Sequence, residues 1–252
     1  MAGKLGNSVM FFLAGLLLSV VSLVALPLAA KEKLQKRRRA REPRAFLADK
    51  KRALAYYNVL SSAYDVLNPY LYTSSIRSEV AKLVDREEPL HVLDVGCGTG
   101  YTTRAILRMG NVCEVVGVDQ NHNQLRKASR NLSAEKMRLS LSRGDVENLP
   151  FTDAVFDAVV SVGAVEYFPD PEKALREMAR VTKQQGRVVV GGPELDWFRK
   201  IRLHRLFYTP AQKDFELLFC RAGLRSVESE LTGVDTVFGT GKYVLIAAGT
   251  KP

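Results

Sequence analysis

Residues that build metal centres and disulfide frameworks are scarce in this chain: 252 residues hold three cysteines, three histidines and one tryptophan. Cys97, Cys113 and Cys220 are odd in number, far apart and without a CxxC pair. Neither a disulfide framework nor a zinc site is indicated, and a reducing compartment fits. Each cysteine is expected as a small buried residue. His91 begins a predicted strand and His122 a helix, and neither has a metal partner at suitable spacing. His204 reads as solvated, and no metal is expected. Internal repeats are missing, and low complexity is confined to one basic run.

Charge is missing too, over one long stretch. No residue from Leu5 to Ala30 is charged, and Val9–Ala30 is apolar but for Gly15, Ser19, Ser22 and Pro27. A helix of that length spans about 33 Å, enough for a bilayer core. Directly after it, Lys31, Lys33, Lys36, Arg37, Arg38, Arg39, Arg41 and Arg44 stand against Glu32 and Glu42, which is +6 of the formal +10. The body of the chain is therefore nearly neutral, and a nucleic-acid partner is not expected. Leu28-Ala29-Ala30 is tolerable before a signal-peptide cleavage site, but a dense basic flank suits an uncleaved anchor with its domain on the cytoplasmic (or organelle stroma or matrix) side. The expected division is a transmembrane anchor over 1–30, a basic juxtamembrane linker over 31–52 attracted to anionic head groups, and a catalytic domain over 53–252.

Leu54, Tyr57, Leu60, Tyr64 and Leu67 share one helical face that Asn68-Pro69 ends. Ile76, Val80 and Leu83 mark a second helix over 76–84. Beyond them strand and helix signals alternate. Strands are predicted at 91–95, 114–119, 138–143, 156–162 and 186–191, and helices at 99–109, 121–132 and 171–183. That alternation argues for a parallel sheet with crossover helices. Thr209-Pro210 reads as the start of a further helix that Gly223 closes. Two last strands follow over 225–231 and 243–248.

The most informative run is Asp94-Val95-Gly96-Cys97-Gly98-Thr99-Gly100. A buried strand ending in a glycine turn that feeds a helix is a nucleotide-binding arrangement. Its spacing departs from the dinucleotide fingerprint, and it lacks the Lys-Ser/Thr of a P-loop. Three further features stand at carboxyl ends of predicted strands. Asp119 closes Val115–Asp119, where an acid can accept from both ribose hydroxyls. Gly144-Asp145-Val146 follows the third strand, where an acid can accept from an adenine amino group. Phe156–Ser161 ends at the same crevice.

In that order, DxGxGxG, GVDQ, GDVENLPF and FDAVVS, the chain resembles the class I S-adenosylmethionine-dependent methyltransferases over about residues 85–250. The resemblance implies an α/β Rossmann-like fold, with a seven-stranded, mostly parallel sheet whose last strand is antiparallel. By position, Gly96, Cys97, Gly98 and Gly100 line the methionine part and Asp94 lies beneath its amino group. Asp119 takes the ribose, Gln120 flanks the adenine, Asp145 with Val146 holds the adenine edge, and Ser161 borders the crevice.

Two stretches outside these motifs, Tyr56–Pro69 with Tyr72–Arg77 and Val165–Pro171, resemble the methyltransferases of prenylated quinols. Glu172–Met178 is similar, more loosely, to the ubiquinone and menaquinone enzymes. The plant enzymes carry a membrane segment at the C-terminus, whereas here the apolar stretch is N-terminal. Ring methylation needs a phenolic proton removed so that the ortho carbon becomes nucleophilic. Glu166 is the candidate base and Tyr167 the orienting hydroxyl, the alternative for Glu166 being a surface acid that caps the helix at 171. Tyr64 and Asp65 are expected to close over the cofactor. Trp197–Tyr208, aromatic and basic, suits an interfacial helix or a lid. The expected partners are a lipid-soluble acceptor and a membrane, with oligomeric state left open. Another acceptor (sterol or phospholipid head group) and a non-catalytic assembly protein are the competing readings.

Overall fold

Hydrophobic alternation along the strands sorts the chain onto two faces of one sheet. The structure, a computed structural model, describes residues 51–52, 55, 74–84, 87–193, 211–236 and 239–252. The strands are β1 (Leu90–Val95), β2 (Val112–Asp119), β3 (Leu139–Arg143), β4 (Phe156–Val162), β5 (Thr182–Pro193), β6 (Arg225–Thr236) and β7 (Gly239–Thr250). The helices are α1 (Ser74–Val84), α2 (Tyr101–Leu107), α3 (His122–Asn131), α4 (Pro171–Val181) and α5 (Gln212–Arg221). The sheet order is β3-β2-β1-β4-β5-β7-β6. Strands β1 to β5 pair in parallel, and β7 runs antiparallel between β5 and β6. This is the expected Rossmann-like sheet. The expected spanning helix over 1–30 lies outside the described residues, and among those no helix is long and apolar enough to cross a membrane.

Period-two alternation puts Leu93, Val95, Val159, Val188, Val190, Leu245 and Ala247 into one core, against α4 and α5. Their sequence neighbours Val92, Ala158, Val160, Val189, Val244, Ile246 and Ala248 enter the other, against Ile76, Val80 and Val84 of α1 and Ile106 and Leu107 of α2. Strands buried on both faces read as unbroken apolar runs, as parallel sheets require. Cys97 is buried, as expected, but Cys113 and Cys220 are exposed. Alternation explains the first, since Val112 beside it points inward, and Cys220 follows the buried Phe219 onto the outer side of α5.

Local chemistry ends and starts the helices. Asn121 caps α3, accepting from the Asn123 and Gln124 N–H groups. Asp170 caps α4, with Pro171 in the first turn. The expected Thr209 cap and Pro210 lie outside the described residues, and α5 instead starts after Ala211, which makes no side-chain cap bond. Gly223 closes α5 with φ +86°. Strands β5 to β7 run longer than expected, because antiparallel pairing carries β6 and β7 on through Gly233 and Gly241.

Phe215 and Phe219 pack edge to face, with ring centroids 5.5 Å apart, at the bottom of α5. Both rings are fully buried. Phe219→Ala is expected to destabilise the protein by about 3–5 kcal/mol, read as a lowered midpoint in urea unfolding followed by circular dichroism.

Candidate cofactor-binding and active site

The order of the sheet reverses beside β1, whose neighbours are β2 and β4. Open α/β sheets bind ligands at such a switch point, outside the carboxyl ends of the strands. The glycine loop leaves β1 there. Gly96, Gly98 and Gly100 adopt φ of +71°, +54° and +88°, a region that side chains disfavour. A Cβ on Gly96 would also stand 2.5 Å from the Ala164 Cβ. The Gly96 and Cys97 N–H groups both donate to the Val118 carbonyl, at 2.8 and 3.1 Å, which folds the loop back over β2.

Two acids lie under this loop. The Thr103 hydroxyl donates to Asp94 Oδ2 at 2.6 Å. Asp119 accepts from the Gly98 N–H at 3.0 Å through Oδ2 and from the Asn121 N–H at 2.8 Å through Oδ1. Asp94 is 1% exposed and Asp119 7%. Burial pushes the Asp94 carboxyl up to about 6, with the Thr103 hydroxyl working against it, Asp119 adding to it and Arg77 opposing it. Burial likewise pushes Asp119 up to about 6, against the pull of the Asn121 and Gly98 N–H groups. The Cys97 thiol, buried beside both carboxylates, is raised well above the ordinary thiol range, first by burial and then by their charge. It packs and does not ionise.

The third predicted feature meets the second in space. Gln120 Nε2 donates to Asp145 Oδ1 at 3.2 Å, and the Glu147 N–H donates to the same oxygen at 3.0 Å. Gln120, Arg143, Gly144 and Asp145 line a depression of about 330 Å³ that opens to solvent. The Val146 side chain is buried in the core, so only its backbone is available there. Ser161 does not reach this space. It is fully buried and donates to the Val95 carbonyl at 2.8 Å, tying β4 to β1 below the loop. Tyr64 and Asp65 lie outside the described residues, as does Trp197–Tyr208.

Glu166 and Tyr167 belong to a single 3-10 turn, Val165–Tyr167, after β4. Glu166 is buried at 5% exposure, so the surface-cap alternative fails: α4 takes Asp170 as its cap instead. The turn can settle on β5 only because position 192 is glycine. A Cβ on Gly192 would stand 2.3 Å from Val165 Cγ1 and 3.8 Å from Glu166 Oε2. Among the described residues no three His, Cys, Asp or Glu side chains gather to hold a metal ion.

Several supports were invisible to sequence reasoning. Arg180 donates to Glu177, Asp153 and the Leu149 and Phe151 carbonyls, while Glu177 Oε2 accepts from the Leu149 N–H at 2.9 Å. The pair holds the segment that follows Asp145. Arg180 lowers the Glu177 carboxyl and is itself raised. Glu177 and Arg180 stand three residues apart, the spacing of a helical ion pair, but their backbone partners have no sequence signature. Thr103 follows the glycine loop directly, but no local pattern names Asp94 as the partner of its hydroxyl.

The donor set fits S-adenosylmethionine. A buried acid stands under a tight backbone turn for an ammonium, an acid closes β2 for a diol, and a polar depression by Asp145 suits an adenine edge.

The raised acids have a consequence for stability. The native state holds the Asp94 proton more tightly than the unfolded chain, whose value is near 3.8. Between pH about 4 and 6 the unfolded state releases the proton first, so stability falls as pH climbs through that window. Asp94→Asn removes this cost. The variant without ligand is expected to be roughly 1–3 kcal/mol more stable than the parent at pH 7.5, with the gap closing near pH 4, by thermal unfolding at each pH. A lower midpoint at pH 7.5 would contradict the burial account.

Comparison with known proteins gives the family. A family profile described as "Methyltransferase domain" matches residues 93–190. The chain is 32% identical over 219 residues to a 2-methyl-6-phytyl-1,4-hydroquinone methyltransferase, chloroplastic, of Arabidopsis thaliana, with 84% of this chain and 64% of that one aligned. It thus spans less than two thirds of that plant relative. It is 31% identical over 230 residues to a demethylmenaquinone methyltransferase of Desulfitobacterium hafniense, covering 78% of this chain and 88% of that one. Among solved structures the YcgJ protein of Bacillus subtilis superposes with a TM-score of 0.59 at 19% identity, over 69% of this chain and 97% of that one; at that identity the likeness is one of fold. The chain belongs to the class I S-adenosylmethionine-dependent methyltransferase family, in the company of the quinol methyltransferases.

Proposed function

We propose that this protein transfers a methyl group from S-adenosylmethionine to a ring carbon of a prenylated benzo- or naphthoquinol, working at a membrane surface. The observation that carries the reading is the gathering of Asp94, Asp119, Gln120 and Asp145 at one switch point, with a buried Glu166 on the neighbouring turn. The names of the relatives support the acceptor class, since they include a phytyl-hydroquinone and a demethylmenaquinone enzyme.

Bound S-adenosylmethionine supplies an electrophilic sulfonium methyl. The residues of this chain do the rest. Asp94 takes the α-ammonium under the glycine loop, and Asp119 accepts from the ribose with lone pairs its two backbone donors leave over. Gln120, Asp145 and the Val146 backbone hold the adenine edge. Glu166 removes the phenolic proton, which raises electron density at the ortho carbon, and Tyr167 orients the hydroxyl. Holding acceptor carbon and methyl in line contributes up to roughly 7–11 kcal/mol.

A prenylated acceptor dissolves in the bilayer, so the domain must stay near it. The division into an anchor over 1–30, a basic linker over 31–52 and a domain over 53–252 meets that need, with the domain on the positively charged side. The chloroplastic relative makes an organelle membrane one setting for this arrangement.

Incubating membranes with isotopically labelled cofactor and identifying the labelled lipid by mass spectrometry tests the acceptor. A labelled quinol is expected, and label in sterol or phospholipid would overturn the choice. Glu166→Gln should lower kcat with cofactor affinity kept, and near-normal turnover would remove it from the base role. Asp119→Ala should weaken S-adenosylhomocysteine binding by about 1.5–3 kcal/mol in isothermal titration, through lost ribose bonds and a freed Gly98 N–H.

A further inference from the structure

Asp94 and Asp119 are buried together beneath the glycine loop. Two desolvated carboxylates repel each other, and a nearby cation relieves that strain. Among the described residues one cation acts on Asp94: Arg77, near the start of α1. Arg77 is 6% exposed, an unusual depth for an arginine. Its guanidinium carbon stands 5.0 Å from the centre of the Tyr101 ring, within range of a cation–π contact. Tyr101 opens α2, and Thr103 of the same helix donates to Asp94. One short helix thus presents both the ring that seats Arg77 and the hydroxyl that seats Asp94.

We propose that Arg77 is a positioning residue for the cofactor: seated on Tyr101, its guanidinium balances the Asp94 carboxylate and keeps it charged to receive the α-ammonium of S-adenosylmethionine. The inference rests on the placement of Asp94 under that ammonium. The groups facing Asp94 are Thr103 from α2, Asp119 from β2, Cys97 from the loop and Arg77 from α1. Burial and Asp119 both favour the neutral acid, Thr103 and Arg77 the charged one. Cys97 stays a thiol and adds no charge. A neutral Asp94 still offers a hydrogen bond but loses the attraction between charges, so cofactor affinity acquires an acid limb set by this carboxyl. Arg77 lowers that limb into the acid range. The same contact links α1, on one face of the sheet, to α2, the helix that the glycine loop feeds.

The test is isothermal titration of the full chain in detergent with S-adenosylhomocysteine from pH 5.5 to 8.5. Arg77→Gln should move the acid limb up by about one pH unit or more, weakening binding several-fold at pH 7 and recovering towards the parent at pH 8.5. Arg77→Lys, which keeps the charge, should leave the limb near that of the parent. Asp94→Asn should bind weakly, without an acid limb. A limb for Arg77→Gln that superimposes on the parent, with Asp94→Asn weakened, overturns the role of Arg77 alone. Parent-like affinity in Asp94→Asn overturns the Asp94 placement and this inference with it. If Arg77→Gln does not fold, Tyr101→Leu substitutes for it: loss of the ring that seats the cation should move the limb the same way by less, and an unmoved limb overturns the proposal.

Discussion

The two oxygens of Asp119 hold the ligand end of the molecule together. One accepts from Gly98 in the glycine loop, the other from Asn121 at the start of α3. Val118, one residue earlier, takes the Gly96 and Cys97 N–H groups on its carbonyl. The end of β2 therefore fixes the curvature of the loop from β1 and the origin of the next helix at once. Through Gln120 it reaches Asp145 as well, so hydrogen bonds join the ends of three strands. Buried backbone donors need partners, and a carboxylate that satisfies two of them in one place is stronger than neutral acceptors.

That arrangement sets stability against binding. A carboxylate buried enough to recognise an ammonium or a diol strongly is also one that folding resists charging. Asp94 and Asp119 are both raised by burial, and the fold answers with local donors and one deep arginine. Farther out, Glu177 and Arg180 grip the backbone around Leu149 and Phe151. α4 thus holds the segment that leads away from the depression beside Asp145.

The acids at the strand ends and the buried Glu166 are held in different ways. Asp94 accepts from the Thr103 hydroxyl, and Asp119 and Asp145 accept from backbone N–H groups. Glu166 sits on a 3-10 turn that needs a glycine beneath it on β5. The fold recurs in proteins under 20% identical to this one, so it does not choose the acceptor.

What the sequence alone determined was periodic or local. Short apolar runs marked the strands, a helical pattern marked the helix over 171–183, and glycine at every second position marked a tight turn after a strand. Each of these is a preference of residues near one another in the chain. Tertiary structure decided which of those residues meet. Ser161 stood in line with the crevice by position, yet the pleat turns it inward onto Val95. Glu166 read equally as a helix cap or a base until burial excluded the cap. The partnership of Asp119 with Gly98 and the seat of Arg77 on Tyr101 join residues more than twenty apart. Such contacts depend on which strands lie side by side, and no local pattern of amino acids carries that order.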